Sequence, residues 1–231
     1  MIPRVIHFIW LSCPNPPSSD NLLGIQSALL NTNCKVVLHT NDKTIQIPGI
    51  EIREICIPEK INGVDFVPEE NLKGYAGNGR RVCHVVDILR LDILYREGGI
   101  YSDMDMIWLR NPTEFFEKKV VIGWNNKSYK VLVNSVIMSE PRQEAIQEYK
   151  NWLVSIYPPK NYWLPANPYK IWKDRGDVTF AEKYKFNPLK WDKVREITWE
   201  SVERSICVHL SNSMGAEIKG EVVDSVRNQS K

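Results

Sequence analysis

Apolar residues fall into two kinds of run along this chain. Short runs rich in β-branched residues at Val5–Trp10, Lys35–Thr40 and Ile50–Ile57 predict buried strands. Between the first two, Leu22, Leu23, Leu29 and Leu30 give an apolar face to a helix that Ser19 or Asp20 can cap. Strand, helix, strand in that order begins a parallel α/β sheet. The clearest helical pattern runs from Arg80 to Glu97, where Val82, Val85, Val86, Leu89, Ile93 and Leu94 form a broad apolar face and Gly98-Gly99 supplies the stop. Ile100-Tyr101 then opens a strand, Asp103-Met104-Asp105 follows, and Met106–Leu109 is apolar again. Two more strands are expected at Val120–Trp124 and Lys130–Met138, then a helix from Pro141 to about Ile156 and a last strand over Arg204–Leu210.

Three stretches lack such a pattern. Ile57–Gly79 carries two prolines and ends in glycines, which reads as a mobile surface segment. From about 150 to 200 five tryptophans (Trp152, Trp163, Trp172, Trp191, Trp199) stand among prolines, tyrosines and lysines, an aromatic-rich lobe whose rings are expected mainly to pin down irregular chain. The residues after Gly220 are polar and are expected to fray. With no linker and no internal repeat, the expectation is one α/β domain over 1–220, a mixed, mostly parallel sheet, and a flexible tail over 221–231.

Composition narrows the function classes. The chain has 231 residues with 30 Lys+Arg against 28 Asp+Glu, a net charge of +2 without a basic block, so nothing favours nucleic-acid binding. The 43% apolar fraction suits a folded globular chain rather than a disordered one. Cys13, Cys34, Cys56, Cys83 and Cys207 are scattered and odd in number, which predicts buried free thiols in a reducing compartment. The first apolar run is broken by His7 and has no cleavage site, and no uncharged stretch reaches membrane-spanning length, so a cytoplasmic location is expected.

The chemistry concentrates around Asp103 and Asp105. Two carboxylates aimed at one point repel unless a cation lies between them, and oxygen ligands of this kind suit Mg²⁺ or Mn²⁺. They follow a strand at the edge where open α/β sheets bind ligands. On the helix before them, Asp87 and Arg90 share a face within an apolar stretch, where a charge needs a specific partner. His7, His39 and His84 stand in apolar contexts and read as hydrogen-bonded core residues.

Asp87-Ile-Leu-Arg90, Leu94-Tyr95 and Gly98-Gly-Ile-Tyr-Ser-Asp-Met-Asp105 together resemble the DXD-containing sugar-binding region of glycosyltransferases, the group of initiating mannosyltransferases and of capsule and O-antigen enzymes. The opening Ile2-Pro-Arg-Val-Ile-His-Phe-Ile-Trp10 is similar to that family's first strand. The resemblance implies a GT-A fold, a hexosyltransferase and a nucleotide diphosphate sugar donor, a UDP-sugar first. It further implies a glycan or glycoconjugate acceptor, Mn²⁺ or Mg²⁺, and retention in preference to inversion. Residue by residue, it places Asp103 at the donor ribose or sugar and Asp105 on the metal. Asp87 and Arg90 fall at donor hydroxyls, Trp10 near the nucleobase and Asn134 near the transferred sugar. Val208-His209-Leu210-Ser-Asn-Ser-Met214 is similar to the family's last block and makes His209 a candidate further metal ligand, with Met214 where a tryptophan is usual. Val86 likewise stands where a serine commonly precedes the helix aspartate. Tyr162 and Trp163 are candidates to face the acceptor. The competing readings are a catalytically silent nucleotide-sugar or carbohydrate-binding module and a nucleotidyltransferase.

Overall fold

The structure, a computed structural model, describes residues 1–11, 17–65, 80–157, 167–189, 197–210 and 220–229. Seven strands form the central sheet: β1 (Val5–Trp10), β2 (Lys35–Thr40), β3 (Glu51–Glu54), β6 (Gly99–Ser102), β8 (Val120–Asn126), β9 (Val131–Ser139) and β10 (Val178–Ala181). Their order is β10-β8-β9-β6-β1-β2-β3. Strands β6, β1, β2 and β3 are mutually parallel, as are β8 and β10, and β9 alone runs antiparallel to both neighbours. A small hairpin pairs β4 (Lys60–Ile61) with β5 (Val64–Asp65), inside the segment that read as irregular. A second two-stranded sheet pairs β7 (Met106–Trp108) with β11 (Cys207–His209).

Strand alternation sorts side chains onto the two faces. On β8, Val120 and Ile122 join one core with Val85, Leu91 and Leu94 of helix α2 (Arg80–Glu97) and Ile146 of helix α3 (Glu144–Ser155). Val121 joins the other core, with Ile6, Phe8, Val36, Leu38, Val136 and Met138, against helix α1 (Ser19–Asn31). Helix α1 is capped by Ser18, one residue before the expected cap: its hydroxyl accepts from Asn21 N–H while the Asn21 side chain accepts from Ser18 N–H, a reciprocal capping box. Helix α2 stops where Gly98 turns left-handed at φ 69°, its N–H donating to Leu94 O at 2.9 Å.

Two expectations need correcting. The last residues are not a frayed tail, because Glu221–Gln229 form a helix whose Val222, Val223 and Val226 are buried against Leu23, Ile107, Val208 and Leu210. Burying a valine stabilises by roughly 1.5–3 kcal/mol, enough to dock a short polar helix. The aromatic-rich stretch is not all irregular chain, since β10 completes the central sheet beside β8; Trp172 is fully buried, its Nε1 donating to Ala145 O at 3.0 Å. Tyr162, Trp163 and Trp191 lie outside the described residues. Cys34 and Cys207 are buried free thiols as expected, but Cys56 is exposed. Among the described residues no helix is long and apolar enough to cross a membrane.

Candidate active site

The site forms where β6 ends. Asp103 N–H donates to Ser135 O of β9 at 2.8 Å, and Met106 N–H donates back to Asp103 O at 3.2 Å, closing a tight turn over Asp103–Asp105. The two carboxylates therefore converge through this turn and not through strand alternation. From the far side, Leu210 N–H donates to Asp105 O at 2.9 Å and His209 lies opposite Met106 in the β11–β7 register. His209 Nε2 reaches Asp105 Oδ1 at 3.1 Å. One ligand atom from each of Asp103, Asp105 and His209 lies within 4.8 Å of the others.

Behind Asp103 sits a buried ion-pair network. Arg90 bonds Asp87 Oδ1 at 2.9 Å and Asp103 Oδ1 at 3.3 Å, and donates through Nη1 to Asn134 O at 2.6 Å. Asn134 Nδ2 donates to Asp87 Oδ1 at 2.9 Å. The Tyr101 hydroxyl donates to Asp103 Oδ1 at 2.5 Å, while the Arg90 guanidinium lies 4.2 Å from the centre of the Tyr101 ring. Arg90 and Tyr101 thus both hold the same oxygen of Asp103, Oδ1. Tyr101 was missed as a functional residue, although its place two residues before Asp103 put it on the same side of the strand.

Burial and charge set the protonation states. Burial pushes the Asp87 carboxyl up to about 6, against the pull of Arg90 and with a further push from Asp103. Asp103 is raised as well, by burial and by the like charge of Asp105, with Arg90 opposing. Burial alone would lower His209, but the charge and hydrogen bond of Asp105, with Asp103 behind it, lift it to about 9. The turn already stabilises one positive charge, the His209 proton. Two carboxylates and an imidazole in such a potential are a donor set that fits a divalent ion of the Mn²⁺ kind.

Of the other sequence candidates, Trp10 ends β1 three residues beyond the His7–Tyr101 register pair, level with the acidic turn, and its buried Nε1 has no hydrogen-bond partner among the described residues. His7 and His39 are core residues as expected, bonded to each other at 3.1 Å. His84 is buried too, with Nδ1 3.8 Å from Asp87 Oδ2. Ser211–Met214, where the tryptophan is replaced, lies outside the described residues, as does 66–79 of the segment that ends in glycines.

A mostly parallel α/β sheet with an acidic turn after its central strand is the architecture of GT-A glycosyltransferases, and solved glycosyltransferase structures similar to this one have that fold. PaToxG glycosyltransferase matches with a TM-score of 0.53 and 22% identity over 74% of this chain and 70% of its own. GlyE of Streptococcus pneumoniae TIGR4 matches with a TM-score of 0.56 and 10% identity over 99% of this chain and 60% of its own. The WbbM bifunctional glycosyltransferase matches with a TM-score of 0.55 and 10% identity, the chain spanning 50% of its length. No curated protein matches the sequence.

Residues 75–126 match the family model described as the glycosyltransferase sugar-binding region containing the DXD motif. The matched region carries the Asp87–Arg90 pair and the acidic turn and covers less than half of the chain, and the solved structures share the fold.

Proposed function

We propose that this protein transfers a hexose-type sugar from a nucleoside diphosphate sugar, a UDP-sugar first, to a glycan or glycoconjugate acceptor, with retention at the anomeric carbon. The observation that carries this reading is the meeting of Asp103, Asp105 and His209 within 4.8 Å, in front of a buried Asp87–Arg90 pair. Asp105 and His209 would hold Mn²⁺ or Mg²⁺, with Asp103 offering its remaining oxygen. When bound, the cation supplies neutralisation of the charge that builds on the leaving diphosphate.

The chain's own residues carry the remaining tasks. Asp103, with one oxygen fixed by Arg90 and Tyr101, is oriented toward the donor ribose or sugar. Asn134 and the Asp87–Arg90 pair would order the donor hydroxyls, and their mutual bonds hold them in place beforehand. Trp10 would lie toward the nucleobase, and among the described residues its buried indole N–H has no hydrogen-bond partner.

A thermal-shift panel of nucleotide sugars with and without Mn²⁺ tests this. Selective, Mn²⁺-dependent stabilisation by one donor, with release of nucleoside diphosphate, is expected. No stabilisation by any donor in the presence of Mn²⁺ overturns the reading. Binding without turnover marks a silent module, and release of pyrophosphate marks a nucleotidyltransferase.

A further inference from the structure

Gly24 is the one residue of helix α1 whose missing side chain the acidic turn requires. A Cβ on Gly24 would lie 2.3 Å from the backbone oxygen of Met104 and 3.0 Å from that of Met106. Glycine is unfavourable in mid-helix, and here the backbone is ordinary helix with no left-handed residue to explain it. What needs the glycine is the close approach of another backbone.

That contact is one of three along a single helix face. Ser27, three residues on, accepts from Trp108 N–H at 2.9 Å while its hydroxyl donates to Gly24 O at 2.8 Å. Asn31 Nδ2, a further turn on, donates to Trp108 O at 2.9 Å. Residues 24, 27 and 31 share a face at helical spacing, and they meet the chain from Met104 to Trp108. The helix is thereby docked against the strand that leaves the acidic turn. On the other side of that strand stand β11 and His209.

We propose that Gly24 is a positioning residue for the cation site: it admits the Met104 carbonyl against helix α1, which sets the turn that aims Asp103 and Asp105 at His209. This rests on the reading of those three residues as a cation site. Gly24→Ala must push Met104 away from the helix, because the atom it meets is backbone and cannot rotate aside. Leu23, next along the helix, is buried in the small core with Val208 and Val223 and does not need that approach.

The test is equilibrium Mn²⁺ binding to the full chain without substrate, by calorimetry or by the loss of the free-ion resonance, alongside thermal melts. Gly24→Ala is expected to weaken Mn²⁺ binding at least about tenfold, the scale on which residues supporting a ligand act. Leu23→Ala is expected to lower the melting temperature and leave Mn²⁺ affinity unchanged. Wild-type affinity in Gly24→Ala overturns the inference, as does equal weakening in Leu23→Ala, which would mean general loosening. If Gly24→Ala does not fold, Ser27→Ala decides: a several-fold loss of Mn²⁺ affinity supports the docking, and wild-type affinity refutes it. Failure of the wild-type protein to bind Mn²⁺ would instead refute the cation site itself.

Discussion

Strand β6 has a histidine site at each end, and the two are tuned in opposite directions. At its start, His7 Nε2 donates to Gly98 O at 3.1 Å, which leaves Nδ1 to accept from His39 Nε2. Burial pulls both rings down to about 4, with Glu97 pulling up and Arg53 pushing down at each. Beyond its end, His209 is lifted to about 9 by the two aspartates of the turn. Burial opposes the charged form at both places; what differs is whether a carboxylate answers it. The neutral pair ties the sheet to the stop of helix α2, whereas the charged group stands in the candidate cation site.

The strongest way to break this contrast is to remove the carboxylate. Asp105→Asn is expected to cut transferase activity by two decades or more, because charge stabilisation of this kind is worth several kcal/mol and each decade is about 1.4 kcal/mol. The fold should survive, since the backbone oxygen that Leu210 uses is untouched. In the same variant the His209 titration, followed by NMR, should fall from about 9 toward the ordinary histidine value. Near-normal turnover would end the assignment, and an unmoved titration would end the electrostatic account.

Next in size is the network behind Asp103. Arg90→Ala leaves Asp87 and part of Asp103 buried without a cation, which costs about 3–5 kcal/mol. In a chain of this size that is a fall in melting temperature of roughly 6–20 °C. Donor affinity should fall with it. Loss of activity without loss of stability would mean that the buried pair contributes nothing to the fold.

Much of this was legible in the sequence for definite reasons. Helix α2 carries long periodicity with a glycine stop, and β1 and β2 are dense β-branched runs, so each was placed closely. The acidic turn and the Asp87–Arg90 face were found because charged residues in apolar surroundings are conspicuous. The C-terminal helix was missed because it is short and polar, although Val222, Val223 and Val226 fall at helical spacing. β10 was missed because its four residues sit among prolines and aromatics that read as irregular chain. Gly24 was passed over because a single glycine within a helical pattern says nothing of what approaches it from elsewhere in the chain.

A smaller effect concerns the cation and the proton competing for His209. Since the metal-free folded value is about 9, a metal ion must displace a proton at neutral pH. Mn²⁺ affinity should therefore rise with pH, by up to about tenfold per unit, and level off near 9. In metal-free protein the sign for stability is reversed. A raised histidine contributes fully below about 6.5, and that contribution is lost as pH rises through 9. His209→Ala should flatten both curves and raise the Mn²⁺ concentration for half-activity. If only turnover drops and that concentration stays put, His209 serves the phosphate side instead.

The smallest expected effect belongs to the neutral pair, and it has the opposite pH sign. His7 and His39 are held at about 4 in the folded protein, whereas unfolded histidines titrate near 6.5. Below 6.5 the unfolded chain takes up protons that the folded chain refuses, so stability falls as pH drops from 6.5 toward 4. One extra proton can be shared by a tautomer change in His39, but a second would set two N–H groups against each other across 3.1 Å. Denaturant titrations from pH 7 to pH 4 should therefore show a slope of at most one proton per histidine, and His39→Gln, which keeps a donor toward His7 without titrating, should make that slope shallower. The Mn²⁺ affinity of His39→Gln should remain that of the wild type, because the pair touches Gly98 and not the acidic turn. An unchanged pH slope in His39→Gln would show that the acid sensitivity arises elsewhere, with His84, which burial also pulls down to about 4, as the next group to test.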